Sequence, residues 1–290
     1  MEFDTNFEVL RMVQLVQLEM LIEIDRICKN NNIKYQLYSG TLLGAVRHKK
    51  FIPWDDDLDI CLLRKDYDRL IKILPDELSS KYFIQTHETD RNYVHAFARI
   101  RKNNTLMLQS YYKEIDMNHG IFIDIFPMDK IMPNTFMGKI QYFSLYSIRG
   151  IKFLKVIGIC RNTDSKYKRH LKLFFHLILK PLHIQYFNNL EAKIARMFSD
   201  KQTIYSTHLS EAGKQFYHPY KIVNEHFYDT IDMEFEGHIF PAPRKYDEVL
   251  TSIFGDYMAL PPPDQRKPHH GVTDVSFNTE SSKENYSMVK

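Results

Sequence analysis

Apolar residues recur every three or four positions over residues 6–29, a spacing that predicts a long amphipathic helix. Three consecutive asparagines then end this helix. Residues 33–38 alternate between apolar and polar side chains, as a half-buried strand does. A short helix is expected next, over 42–50, where Ser39 or Thr41 can cap the first turn.

The rest of the chain predicts a mixture of strands and helices. Strands are expected in the acidic stretch that precedes residue 64, and at 82–87, 95–102 and 119–129. Helices are expected at about 64–74, 136–199 and 244–254. The last twenty residues are polar, and we expect them to be loose. This succession predicts an α/β (α+β) protein with a mixed β-sheet and a helical elaboration.

Composition narrows the class of protein. A chain of 290 residues can bury a large core, as one domain or two, and 44% hydrophobic content is typical of a globular protein. The net charge of +3 gives no indication of nucleic-acid binding. Cys28, Cys61 and Cys160 lie far apart without a C-x-x-C motif, which favours a reducing compartment. The N-terminus does not resemble a signal peptide, so we expect a cytoplasmic protein.

Four aspartates are crowded into five positions, at 55, 56, 57 and 59, between apolar flanks. Because residues two apart on a strand share a face, Asp57 and Asp59 are expected to point the same way. Two carboxylates side by side on a half-buried strand resist joint ionisation unless a cation lies between them. Hard oxygen ligands favour Mg²⁺ or Mn²⁺. If only the four acids are considered, the alternative is that they form a solvated turn that caps a strand.

Two further features support a phosphate and metal site. Gly40 lies where a helix is expected to begin, and backbone amides at a helix N-terminus attract anions. Asp124 stands alone in an apolar strand, where it is costly unless paired or bound to a metal, although a hydrogen-bonded core aspartate remains possible. Together these residues outline the two-metal site of a nucleotidyltransferase-like core.

Four stretches carry a family resemblance: YSGTLLGAVRHKKFIPWDDDLDI, FARIRKNNT, GIFIDIFPMD and YDEVLTSIFGDYMALPPPDQRKPHH. Together they resemble the LicD family of phosphocholine transferases, to which the fukutin group of phosphosugar transferases is related. The resemblance covers roughly residues 20–130 and 235–270. One departure is Lys50, at a position where a glycine is expected.

The resemblance implies a role for each of the acids and for the turn before them. Ser39, Gly40 and Thr41 would lie against the donor diphosphate. Asp57 and Asp59 would hold the metals, with Asp124 completing the metal site or serving as general base.

Several basic residues are further candidates for the same site. Arg47 and His48 end the short helix within reach of the donor. For Arg47, a contact with the donor phosphate and a surface salt bridge are equally consistent with the sequence. Arg99 and Arg101 share a strand face, and one of them is expected to bind phosphate. His269 and His270 end the last stretch, where a solvated pair of histidines in a tail and a role in the site are both consistent with the sequence.

The resemblance also implies the reaction. The expected enzyme is a phosphotransferase that moves phosphocholine from CDP-choline to a hydroxyl of a cell-surface glycan precursor, of lipopolysaccharide or teichoic acid, and releases CMP. Two alternatives stay open. One is transfer of another CDP-linked group (ribitol phosphate, glycerol phosphate or phosphoethanolamine), and the other is a non-catalytic module that binds nucleotide or membrane. Choline recognition would need an aromatic cage, for which Trp54 and the tyrosines are candidates.

The expected organisation has four parts: a catalytic core over 1–130, a helical elaboration over 131–235, a segment over 236–270 that returns to the core, and a polar tail over 271–290. The segment from Lys152 to Lys180 contains eight basic residues and one acid, interleaved with large apolar residues. Such a segment can lie peripherally on the inner face of an anionic membrane. The alternative is that its apolar face packs on the core while the lysines stay solvated.

Overall fold

The computed structural model describes residues 7–156, 166–209 and 222–278. Part of the expected long helical region (157–165, including Cys160) and the end of the expected polar tail lie outside the described residues. Among the residues that the structure describes, no helix combines the length and the apolarity needed to cross a membrane.

Eight α-helices occur in the described ranges. They are α1 (Phe7–Asn30), α2 (Ser39–His48), α3 (Arg64–Glu77), α4 (Phe136–Val156), α5 (Lys166–Leu179), α6 (Ile184–Ala195), α7 (Asn224–Phe227) and α8 (Tyr246–Phe254). The helical pattern expected over 136–199 corresponds to α4, α5 and α6 in the part of that range that the structure describes. Short 3-10 turns follow α6 and α8.

Eleven strands accompany these helices. They are β1 (Gln36–Leu37), β2 (Asp59–Leu63), β3 (Tyr82–Gln85), β4 (Ala98–Lys102), β5 (Leu106–Gln109), β6 (Phe122–Ile131), β7 (Tyr205–His208), β8 (Ile222–Val223), β9 (Thr230–Phe235), β10 (His238–Pro243) and β11 (Val272–Ser276). The prediction of an α+β protein with a mixed sheet is confirmed.

The main sheet has the order β1-β2-β6-β4-β3, and β7 and β8 extend it beside the second half of β6. β2 and β6 run parallel, whereas the other pairs are antiparallel. The register places Asp59 beside Asp124 on one side and Arg99 opposite Asp124 on the other. The sheet therefore brings two acids and an arginine, distant in sequence, to one level of three adjacent strands.

The apolar pattern explains where the core lies. β6 is buried at nine of its ten positions, as expected for a central strand covered on both faces. The apolar stripe of α1 packs in the same core cluster as the sheet, and its Val13, Met20 and Ile24 are fully buried. Burial of this kind contributes about 1.5–3 kcal/mol for each large apolar side chain. The core thus holds the acid-bearing strands rigidly.

Three local expectations were wrong. β2 begins only at Asp59, so Asp57 lies in the irregular segment before the strand. α2 begins at Ser39 with Tyr38 as its N-cap and no side-chain cap, so neither Ser39 nor Thr41 caps it. The part of the expected loose tail that forms β11 (Val272–Ser276) is also not loose, because it pairs with β5 in a separate two-stranded sheet.

The region expected to be a helical elaboration is mixed. β7 and β8 belong to the main sheet, and β9 begins a hairpin with β10. α4 and α6 are joined by a buried cluster in which Arg149 and Lys152 contact Glu191 at 3.1 and 2.6 Å. These charge pairs therefore join α4 and α6 to each other.

Candidate active site

A cavity of about 570 Å³ lies between the start of α2, the acidic segment and the chain that follows α8. Ser39, Gly40, Asp55, Asp57 and Asp59 line one side of it. The opposite wall is formed by residues 254–269, which follow the last turn of α8. This is the place where the first and the last of the resembling stretches meet.

Three carboxylates converge at this cavity. One oxygen from each of Asp57, Asp59 and Asp124 lies within 4.8 Å of the others, and all three residues are at most 9% exposed. Asp59 and Asp124 are neighbours on parallel strands, and the Asp124 amide donates to the carbonyl of Leu58 at 2.8 Å. Buried oxygen ligands at this spacing fit a divalent cation such as Mg²⁺ or Mn²⁺.

The neighbouring acids show how crowded the charge is. Burial raises the pKa of the Asp55 carboxyl well above its ordinary value, and the nearby Asp57 and Asp56 carboxylates raise it further. Like charges at this spacing need a counter-charge. A divalent cation at the three-carboxylate cluster would supply one, which is why this donor set fits a metal.

A second counter-charge comes from the C-terminal part of the chain. The His270 ring donates from Nδ1 to Asp56 Oδ1 at 2.9 Å, and its Nε2 lies 3.5 Å from Asp57 Oδ2. Burial lowers the pKa of His270, but Asp57 and Asp56 outweigh this and raise it to about 10. His269 is mostly exposed and lies 3.7 Å from Asp56. His270 is therefore a member of the site, and not part of a solvated tail.

Asp56 is fully buried and turned toward this histidine. Burial raises its pKa, but the hydrogen bond and the charge of His270 outweigh burial, so the pKa lies below its ordinary value. Asp56, Asp57, His269 and His270 form a second group whose ligand atoms lie within 4.8 Å of one another. Asp56 thus anchors the C-terminal segment to the acidic segment.

The start of α2 contacts the acids closely. A Cβ at Gly40 would lie 2.6 Å from Asp55 Oδ2, so only glycine fits there without moving the carboxylate. Ser39 has a positive φ of 47°, a conformation that costs free energy in a non-glycine residue and often occurs at functional sites. The first helical bond runs from the Leu42 amide to the Tyr38 carbonyl, so earlier amides have no helical acceptor. This end of α2 can receive an anion.

The other predicted donor contacts have structural partners. Thr41 does not line the cavity; its hydroxyl accepts a hydrogen bond from the Asp59 amide at 2.8 Å. Arg47 lines the cavity, but its guanidinium donates to the carbonyl of Tyr257 at 2.7 Å and also contacts His48. Burial and then Arg47 lower the pKa of His48. Arg47 thus connects α2 to the loop after α8.

Arg99 and Arg101 lie inside the protein, and neither lines the cavity. Arg99 donates to both oxygens of Asp124, at 2.6 and 3.1 Å, from the far side of the carboxylate. Arg101 donates to Gln85 and to the carbonyl of Gly120, and burial followed by Arg99 lowers its pKa to about 9. The geometry makes Arg99 the partner of Asp124 and gives neither arginine a path to a phosphate.

Sequence reasoning missed the support that α1 gives to the acidic segment. Gln14 donates to the carbonyl of Asp55 at 2.9 Å, and Gln17 donates to the carbonyl of Asp56 at 3.0 Å. Both glutamines are buried on the apolar face of α1. Polar residues within an apolar stripe were the available signal, because a buried amide needs hydrogen-bond partners.

Comparison with known proteins points to one family. Residues 32–153 match the family described as LicD/FKTN/FKRP, nucleotidyltransferase domain. The chain is 34% identical over 268 residues to "Lipopolysaccharide cholinephosphotransferase LicD" of Haemophilus influenzae. The aligned region covers 90% of this chain and 96% of that protein. The chain is also 32% identical over 182 residues to an uncharacterized protein of Rickettsia prowazekii, covering 60% of this chain and 62% of that protein.

Proposed function

This chain belongs to the LicD family, and on that premise we propose that it is a phosphotransferase that moves phosphocholine from CDP-choline to a hydroxyl of a lipopolysaccharide-type glycan, releasing CMP. The observation that carries the proposal is the convergence of Asp57, Asp59 and Asp124 beside the cavity. The printed activity of the Haemophilus influenzae relative supports the choice of phosphocholine and of lipopolysaccharide.

In this proposal the three carboxylates hold one or two divalent cations, Mg²⁺ or Mn²⁺. When bound, such a cation neutralises charge on the phosphate oxygens of the donor and on the attacking and leaving oxygens. Arg99 holds both oxygens of Asp124 from behind, so this carboxylate fits the role of a fixed ligand better than that of a general base. Asp57 is the member of the cluster with the more accessible side chain.

The start of α2 is the proposed place for the donor phosphates. Ser39 and Gly40 line the cavity next to Asp55, and the helix dipole favours negative charge at this end. The acceptor oxygen would form a bond to the phosphorus that bears choline, while the bond from that phosphorus to the CMP oxygen breaks. The hydroxyl proton would pass to a carboxylate oxygen at the cavity.

The same cavity offers a wall suited to a choline headgroup. Trp54, Phe254 and Tyr257 line it together with the carboxylate of Asp256. The Arg266 guanidinium lies 5.7 Å from the centre of the Trp54 ring, so this ring already has a cation near its face. Aromatic faces next to an acid favour a quaternary ammonium through cation–π attraction. We therefore assign choline selection to this wall, with Trp54 as its main contact.

A panel of CDP-alcohols tests the proposal. The pure protein would be incubated with Mg²⁺, lipopolysaccharide lacking phosphocholine, and CDP-choline, CDP-ethanolamine, CDP-ribitol or CDP-glycerol, and the product identified by mass spectrometry. We expect a product from CDP-choline, and a Trp54→Leu variant that loses its preference for choline over ethanolamine. If the protein used only CDP-ribitol or CDP-glycerol, the transferred group would be ribitol phosphate or glycerol phosphate and not phosphocholine. No product from any donor would overturn the assignment.

A further inference from the structure

Helix α4 exposes large apolar side chains on the side that does not pack toward α6. Gln141, Leu145 and Ile148 are buried on the side that packs toward α6. Phe136, Ile140 and Phe143 recur at spacings of four and three residues, which place them on the other side, and they and the later Phe153 are exposed. Phe136 is 77% exposed and Phe143 is 58% exposed. Large apolar side chains exposed in this way on one helix indicate a surface that a partner covers.

Helix α5 extends this exposed apolar surface. Phe174, Leu177 and Ile178 are each more than 50% exposed, and no described residue covers them. The two helices are in contact, because His176 Nδ1 lies 3.2 Å from the Leu154 carbonyl and Lys155 donates to the carbonyl of Leu179. We name these seven exposed side chains of α4 and α5 the α4–α5 apolar surface. Patches of exposed apolar residues on this scale mark interaction sites.

The charge around this surface has one sign. Neither α4 nor α5 contains an aspartate or a glutamate, and α5 carries four Lys or Arg residues among its fourteen. On α4, Arg149 and Lys152 are occupied by Glu191, whereas Lys139 is exposed, as is Lys180 just after α5. The exposed Lys139 and Lys180, together with a helix sequence that has basic residues and no acid, make this surface complementary to an anionic one.

We propose that the α4–α5 apolar surface binds an anionic lipid membrane, with its apolar side chains in the headgroup region and the lysines on lipid phosphates. The fourteen residues of α5 span about 21 Å, which is shorter than a bilayer core of about 30 Å. The helix therefore fits a position on the surface of the membrane and not across it.

A second copy of this chain is a poorer occupant. In a twofold dimer the same patch meets itself, so these positively charged helices would face each other without an acid on either of them. Juxtaposed like charges disfavour such an interface. An anionic lipid surface meets both the apolar and the charged part of the patch.

Vesicle co-sedimentation tests the proposal. The full chain would be mixed at low salt with vesicles of phosphatidylglycerol and phosphatidylcholine, or of phosphatidylcholine alone. The test variant is Phe174→Ser with Leu177→Ser, and the matched control is Ile204→Ser with Ile239→Ser, which changes two exposed apolar residues on strands or loops elsewhere. Urea midpoints of both variants would verify that they fold.

We expect the wild type and the control to pellet with the anionic vesicles, and the test variant to bind at least about tenfold more weakly. Failure of the wild type to pellet, or equal binding by the test variant, would overturn the proposal. Light scattering adds a second readout, since a wild-type dimer that the test variant dissociates, without vesicle binding, would assign the surface to self-association. Release of CMP by the test variant keeps this result separate from the proposed activity.

Discussion

The Asp124 side chain contacts both the other carboxylates of the cluster and the buried Arg99, so it can serve the chemistry and the stability of the fold. Its oxygens belong to the three-carboxylate cluster, and both also accept from the buried guanidinium of Arg99. Burial raises the pKa of Asp124, while Arg99 opposes this. A substitution here should therefore affect the chemistry and the stability together.

We predict that Asp124→Asn lowers kcat by more than about a hundredfold and also lowers the free energy of unfolding by about 3–5 kcal/mol, because Arg99 loses its charge partner. Asp129→Asn is the matched control, since Asp129 is an equally buried partner of Arg64 at 2.7 Å but does not belong to the three-carboxylate cluster. It should lose similar stability and keep its kcat. Equal kcat losses in the two variants would make the Asp124 role structural.

Gly40 offers a test of how tightly α2 packs on the acids. Alanine there would place a methyl group 2.6 Å from Asp55 Oδ2 and push this carboxylate toward Asp57. We predict that Gly40→Ala lowers kcat/KM by more than about tenfold, because small displacements in an active site cost rate steeply. Gly150→Ala, on α4 with open space around it, should be neutral or stabilise by about 0.5–1 kcal/mol. Unchanged turnover in Gly40→Ala would mean that Asp55 is free to move.

Among the elements, the segment between α8 and β11 is the one that completes the site. It carries His269 and His270 and is fixed at its end by the pairing of β11 with β5. The two histidines are adjacent, but only His270 is largely covered, with a side chain 24% exposed against 62% for His269. His270 is therefore the histidine through which this segment contacts the acids most closely.

We predict that His270→Ala lowers kcat by about 10–100-fold, the range for residues that orient a metal ligand, since it loses its contacts with Asp56 and Asp57. The control is His238→Ala, which changes an exposed histidine of β10 outside the cavity lining and should stay within about twofold of the wild type. Steady-state CMP release measures both. An equal loss in the two variants would contradict the geometry.

Local patterns predicted those elements whose signals are local. The spacing of apolar residues predicts α1, and an almost unbroken apolar run predicts β6. The apolar residues around the acids at 57, 59 and 124 single these acids out as candidates for the site. The pairing of β5 with β11 joins residues far apart in the chain, and short strands carry too weak a pattern to reveal it. The same is true of the contact between His270 and Asp56, which depends on the path of the intervening chain.

For the whole molecule, stability should depend on buried histidines. His208 lies in an aromatic cluster, with its ring centre 4.1 Å from that of Phe126. Burial, and then Arg149 and Arg64, lower its pKa well below the ordinary value. The unfolded chain, with a histidine pKa of about 6.5, then binds a proton that the folded chain does not. Stability must therefore fall as the pH drops below about 6.5 toward the folded pKa.

Urea unfolding at pH 7.5, 6.5 and 5.5 measures this dependence. We predict that the wild type loses about 1 kcal/mol more than His208→Gln between the two lower pH values, since one pKa unit corresponds to about 1.4 kcal/mol. The Gln variant serves as its own reference at pH 7.5. Parallel curves for the two proteins would show that the fold does not lower the pKa of His208.

We propose that the cluster of Asp57, Asp59 and Asp124 binds the cation that supports phosphocholine transfer. The most direct measurement is CMP release from CDP-choline in a Mg²⁺ titration, for the wild type, Asp57→Asn, Asp59→Asn and the exposed-acid control Asp200→Asn. We predict saturable, Mg²⁺-dependent release by the wild type and Asp200→Asn, and none by the two cluster variants although both stay folded. If Asp57→Asn or Asp59→Asn retained Mg²⁺-dependent release of CMP, the assignment of the metal site to these carboxylates would be wrong.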